Sequence, residues 1–101
     1  TGAITAFADG RVKENIKTIP NALDKVLSLR GVTYNKISES KSSMGVVAQE
    51  LLEVIPEVVH ENEDGMYSVA YGNIVAVLIE AMKEQQEQIN DLKVKLDGFT
   101  K

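Results

Sequence analysis

The chain has no cysteine and a single histidine in its 101 residues, and each scarcity closes off a class of chemistry. Without cysteine there are no disulfides, no thiolate nucleophile and no sulfur ligand for a metal. One histidine, His60, then leaves no zinc set of the usual kind, so neither a metal nor another cofactor is expected. The redox compartment stays open beyond compatibility with a reducing cytoplasm. Positive charge is also short, with 11 Lys and Arg against 15 Asp and Glu and a formal charge of -4. Nucleic acid, whose phosphates demand clustered cations, is therefore not an expected partner, and another protein is. The longest apolar stretch, Ile74 to Ile79, falls far below the ~20 residues a bilayer crossing takes. No signal peptide and no nucleotide-binding loop is visible, so the chain reads as soluble, with no membrane partner.

A chain of this length suits one domain and buries a limited fraction of its surface alone, which favours association. Asn21 through Arg30 carry apolar residues at a helical period, with Pro20 near the start and Gly31 just past the end, and predict a short amphipathic helix. Val32 and Tyr34, extended to Ile37, alternate with polar residues as a strand does, before a polar loop from Ser38 to Ser43. Met44 to Val47 is a candidate second strand. Gln49 to Ile55 has helical composition, and Pro56 ends it because its ring clashes with the preceding turn. Val58 and Val59, the turn Glu61 to Gly65, and Met66 to Val69 predict a β-hairpin. Both this hairpin tip and the Ser38 to Ser43 loop are expected to project.

From Tyr71 the chain contains no proline and repeats apolar residues at alternating spacings of four and three. Val75, Met82, Ile89 and Leu96 fall at a positions, and Tyr71, Leu78, Gln85, Leu92 and Phe99 at d positions. That pattern predicts a coiled coil. Val75 through Met82 leave almost no polar face, so this half needs cover on several sides, from the preceding residues and from symmetry mates. Beyond Lys83 the flanks turn polar and only the seam is dry. Gln85 is the polar interruption; a buried amide in a seam costs stability but penalises shifted registers, and it mildly favours three strands. The expected class is α+β, with a small mixed head over residues 8–70 and a coiled-coil helix over residues 71–101. Residues 1–7, small and uncharged, read as the end of something upstream.

The run Ala8-Asp-Gly-Arg-Val-Lys13, followed by LSLRGVTYN, GVVAQELLEVIPEVV and YSVAYGNIVAVLIEAMKEQ in that order, resembles the self-cleaving intramolecular chaperone domain at the C-terminus of phage endosialidases, tailspikes, tail fibres and neck appendages. The resemblance covers nearly the whole chain from Ala8. In that family a serine opens an S-D-x-R-x-K pattern and attacks the peptide bond before it, with the lysine as base. Carried over, the nucleophile position is Ala8, the base is Lys13, and the scissile bond joins Phe7 to Ala8. Alanine lacks the hydroxyl, so this copy is expected to stay uncut. A serine-to-alanine exchange that keeps the precursor whole accounts most simply for Ala8 and for the seven residues ahead of it.

The resemblance implies a homotrimer, an upstream passenger in the same polypeptide, residence in the bacterial host cytoplasm during phage assembly, and absence from the mature virion after cleavage. A lone lysine is ordinarily a solvated charge. To act as base, Lys13 must be neutral part of the time, which burial or a nearby cation such as Arg11 promotes; Arg11 has Asp9 as an alternative partner. Asn15 is a candidate oxyanion donor, against its commoner use in turns. Glu50 is a candidate to orient Lys13, against its simpler reading as a carboxylate in the first turn of a helix. His60 reads as a surface residue. Two rivals stand beside this reading, a plain trimerisation module without proteolysis and a retained receptor-binding fibre tip. A related self-cleaving domain in membrane-anchored transcription factors ranks last, because nothing in the chain supports an anchor.

Overall fold

The computed structural model describes residue 3 and residues 5–99. Thr1, Gly2 and Ile4, which the sequence assigns to the end of a passenger, lie outside the described residues, as does the end of the predicted coiled-coil span at Thr100 and Lys101. The elements run α1 (Ala22–Leu27), β1 (Val32–Tyr34), β2 (Ser43–Gly45), α2 (Ala48–Val54), β3 (Val59–Glu61), β4 (Tyr67–Val69) and α3 (Tyr71–Phe99). Short 3-10 turns at Gly10–Val12 and Pro56–Val58 complete the chain. This is the predicted small mixed head of short helices and hairpins, followed by one long helix.

Each hairpin is two-stranded and antiparallel. β1 pairs with β2 through Val32 with Gly45 and Tyr34 with Ser43, and β3 pairs with β4 through Val59 with Val69 and Glu61 with Tyr67. The second hairpin turns where its sequence demands. Gly65 takes a φ of +82°, a conformation that favours glycine, and the Asp64 carboxylate accepts a hydrogen bond from the Met66 N–H at 2.9 Å. The loop of the first hairpin is closed by its own bonds, with the Asn35 amide donating to the Glu39 carbonyl at 2.6 Å.

Several boundaries differ from the sequence expectation by a residue or more, three of them with a visible cause. α1 stops at Leu27 rather than Arg30, because the Ser28 hydroxyl and N–H both turn back onto the Asp24 carbonyl. Ile37 is not part of β1; the chain has already entered the loop, and its side chain is fully solvated. β2 ends at Gly45 rather than Val47, because the Val46 N–H donates to the Tyr71 hydroxyl at 3.3 Å instead of to a strand. Pro56 ends α2 as expected but also opens the 3-10 turn that follows, where its missing N–H costs nothing.

The core is small. Ala22, Leu23, Leu51, Ile55, Val58, Val77 and Ala81 are buried, with Ile19, Val26, Leu29, Val54 and Ile74 packed around them. α1 therefore lies along the first half of α3, held by one long-range polar contact. The Glu84 carboxylate accepts from the backbone N–H groups of Ala22 and Leu23 at 2.9 and 3.1 Å, and so caps a helix 61 and 62 residues earlier. α1 needs this because its own cap residue, Asn21, sits at φ +54° and makes no side-chain cap bond. The head covers only one side of α3: Val77 and Ala81 are buried, while Val75, Leu78, Ile79 and Met82 on the same turns are exposed.

Candidate functional site

The segment that carries the catalytic pattern is irregular, and local hydrogen bonds shape it. Asp9 accepts from the Arg11 N–H at 2.9 Å and opens the 3-10 turn, and the Lys13 N–H closes it on the Gly10 carbonyl at 3.1 Å. The Arg11 guanidinium grips the same carboxylate from two sides, at 2.7 Å to Oδ2 and 3.1 Å to Oδ1. These bonds, the side-chain one first, hold the Asp9 carboxyl below its ordinary value, and the carboxylate in turn raises Arg11. Arg11 is thus Asp9's partner. Its charge is matched two residues away, so it is committed to Asp9 rather than to Lys13.

The fold brings Phe7, Ala8 and Lys13 to one open cleft of about 590 Å³. Its far wall comes from the start of α3, with Gly72, Asn73, Ala76 and Val77, and its floor from Ile19, Ile55 and Val58. Two charged groups that sequence reasoning did not single out, Lys25 of α1 and Glu57 of the 3-10 turn, line it as well. Lys25 is half-buried, Lys13 is exposed, and neither makes an ion pair among the described residues. No local signal marks Lys25, Glu57 or Asn73, because they reach the cleft only once α1 has docked on α3.

The supporting residues named from the sequence are placed elsewhere. Glu50 does not orient Lys13; its carboxylate accepts from Arg30 at 3.0 Å from Nε and 2.9 Å from the terminal nitrogen. That pair, chiefly through its side-chain hydrogen bond, lowers the Glu50 carboxyl and raises Arg30. Asn15 has a φ of +55° and is not among the residues lining the cleft, which is the turn-forming use of an asparagine. His60 is exposed on β3, opposite Ser68. Among the described residues no cluster of three or more His, Asp or Glu suits a metal ion, and no helix is long and apolar enough to cross a membrane.

A second groove, of about 660 Å³, lies between the hairpins and gathers all three tyrosines, Tyr34, Tyr67 and Tyr71. It is the larger of the two, but it holds no base beside a nucleophile position. The smaller cleft is the one lined by Ala8 and Lys13, the two positions the sequence pattern pairs.

Along α3, Val75, Leu78, Met82, Ile89, Leu92, Leu96 and Phe99 fall on one stripe, each between 41% and 87% exposed in the single chain. Gln85 interrupts it and is exposed too. Tyr71, assigned to the head of this stripe, is turned to β2 by its bond to Val46, and its hydroxyl lies so close to Gly45 that a Cβ there would approach it to 2.7 Å. The cleft is lined from the opposite side of the helix: at roughly 100° per residue, Asn73, Ala76 and Val77 point away from Val75, Leu78 and Met82.

Residues 8–60 match the family described as the chaperone of endosialidase. Among known proteins, the chain is 39% identical to the long tail fiber protein Gp37 of Enterobacteria phage K3 over 88% of its own length and 8% of that protein. It is 38% identical to Gp37 of Enterobacteria phage M1 over 93% of the chain and 41% of that protein. With Gp37 of Salmonella phage S16 it shares 32% identity over 92% of the chain and 14% of that protein. The chain thus spans less than half the length of these relatives.

Proposed function

The chain belongs to the chaperone of endosialidase family, and from that membership we propose that it is the assembly domain of a phage tail fibre, gathering three copies through α3 and releasing itself by autoproteolysis when a serine stands at position 8. The family is one of self-cleaving peptidases as well as chaperones, and the relatives tie this chain to tail fibres. The observation that carries the finer reading is the cleft that Phe7, Ala8 and Lys13 line together.

The chemistry follows from that juxtaposition. A serine at position 8 adds its Oγ to the Phe7 carbonyl carbon while neutral Lys13 takes the hydroxyl proton. The tetrahedral intermediate collapses with loss of the residue-8 nitrogen, which receives the proton back. Water then hydrolyses the ester, leaving a carboxylate on Phe7 and the hydroxyl restored. Lys25 lines the same cleft, whereas Arg11 is taken up by Asp9. Alanine has no lone pair to offer, so this chain assembles and stays joined to what precedes it.

The chaperone role rests on the same architecture. A fibre whose strands pair across chains has a large loop-closure cost and exposed edges while it forms. Three α3 helices in register raise the effective concentration of the chain ends above them, and folding propagates from there. Release afterwards removes a route for coupled unfolding and leaves the fibre kinetically stable.

Ala8→Ser followed by mass analysis tests the reading. The expected product begins at residue 8, appears at a rate independent of concentration once assembled, and is absent from Ala8→Ser combined with Lys13→Ala. A serine variant that stays whole in the assembled state would leave a plain trimerisation module as the better description.

A further inference from the structure

We propose that in the assembled molecule each head covers the neighbouring copy's α3 as well as its own, with Ile79 of one chain packed against α1 of the next. The inference rests on the self-assembly of α3 proposed above. Around α3, taking roughly 100° per residue, three apolar faces are distinct. The stripe of Val75, Leu78 and Met82 is the first. The head of the same chain occupies the second, roughly 100° to one side, through Ile74, Val77, Ala81 and Glu84. Ile79 forms the third, on the other flank of the stripe, and is 53% exposed. Its own head cannot reach it, because Val77 and Ala81 hold α1 across the helix from it.

In a parallel bundle the flank that follows each d position abuts the flank that precedes each a position of the next helix. Ile79 lies on the first flank. Ile74 and Ala81, the residues against which α1 docks, lie on the second. Closing the stripe against a second copy therefore carries that copy's α1 onto Ile79. Two further observations agree. α1 retains an apolar side chain that its own core does not use, Leu27, which is 72% exposed. The flanks are apolar only at the height of the head: one heptad below Ile79 and Ala81 they carry Gln86 and Gln88, and one lower still Lys93 and Lys95. A helix that paired through its stripe alone has no reason to confine apolar flanks to the turns where a head is docked.

The absence of cysteine makes the test clean. Leu27→Cys and Ile79→Cys chains, mixed, unfolded and refolded together, are oxidised mildly and analysed for linked chains. The expected result is a Leu27→Cys chain joined to an Ile79→Cys chain, at least tenfold above the yield with Val94→Cys, an exposed position on the outer face of α3. Equal yields overturn the inference. Independently, Ile79→Glu is expected to raise the dissociation constant of the assembly at least tenfold relative to Val94→Glu, and equal effects again overturn it. A parent chain that sediments as a monomer removes the self-assembly reading and this inference with it, whereas a trimer that gives no such link removes this inference alone.

Discussion

Two side chains, Glu84 at the middle of α3 and Tyr71 at its start, hold the head to the helix, and neither can be replaced locally. Glu84 satisfies two backbone N–H groups at the start of α1, so Glu84→Ala leaves both without a partner at a partly buried end. The expected loss is about 1–3 kcal/mol, read as a drop of several degrees in thermal unfolding. Gly45→Ala forces the Tyr71 hydroxyl aside and costs about 1 kcal/mol through the lost bond to Val46. The two changes are coupled: in a Tyr71→Phe background the obstructing oxygen is gone, and Gly45→Ala is expected to cost less, which a double-mutant cycle measures. Asp9 and Glu50, both held below their ordinary carboxyl values by arginines, set the acid response. A carboxylate lowered on folding adds stability above its unfolded value and loses it as pH falls through the folded one. Melting temperature is therefore expected to fall modestly as pH drops below about 5, the pairs being exposed, with a shallower slope in Glu50→Gln. At this scale the sequence was a partial guide. The pattern that pairs Ala8 with Lys13 is local and can be read along the chain, but Glu84, Lys25 and Asn73 reach their places only across the fold; of the two readings open for Glu50, the first-turn carboxylate holds, and its partner Arg30 is brought to it only by the turn of the first hairpin.

At the scale of elements, local chemistry was enough wherever it ruled. The second hairpin was legible because Asp64 and Gly65 impose its turn, and α3 because its period is unbroken by proline. The end of β2 was not, since Tyr71 takes the Val46 N–H from 25 residues away. α2 contributes the most enclosed large side chain, Leu51, 1% exposed; Leu51→Ala is expected to cost about 2–5 kcal/mol by denaturant unfolding. In α3, Gln85 interrupts the stripe. Gln85→Leu is expected to raise the melting temperature of the assembly while broadening its distribution of oligomer orders, seen as mixed masses in native mass spectrometry.

The described residues form a head joined to a 29-residue helix, with a buried apolar core to which the head gives five residues and the helix two, Val77 and Ala81. At 1.5 Å per residue that helix is about 43 Å long, and the head covers one side of its first half only. A row of apolar side chains from Val75 to Phe99 stays solvated in a single copy, far more than an isolated domain of this size sustains. The heptad spacing made this row legible in advance, because it is a property of one chain. How the heads sit between helices was not, because it depends on which flank α1 occupies. We propose that this row is a seam between copies of this chain. Sedimentation equilibrium of the intact chain across a range of concentrations tests it directly. The expected result is a species of about three times the 11.1 kDa chain mass that gives way to smaller species on dilution. A single species at the chain mass throughout would contradict it.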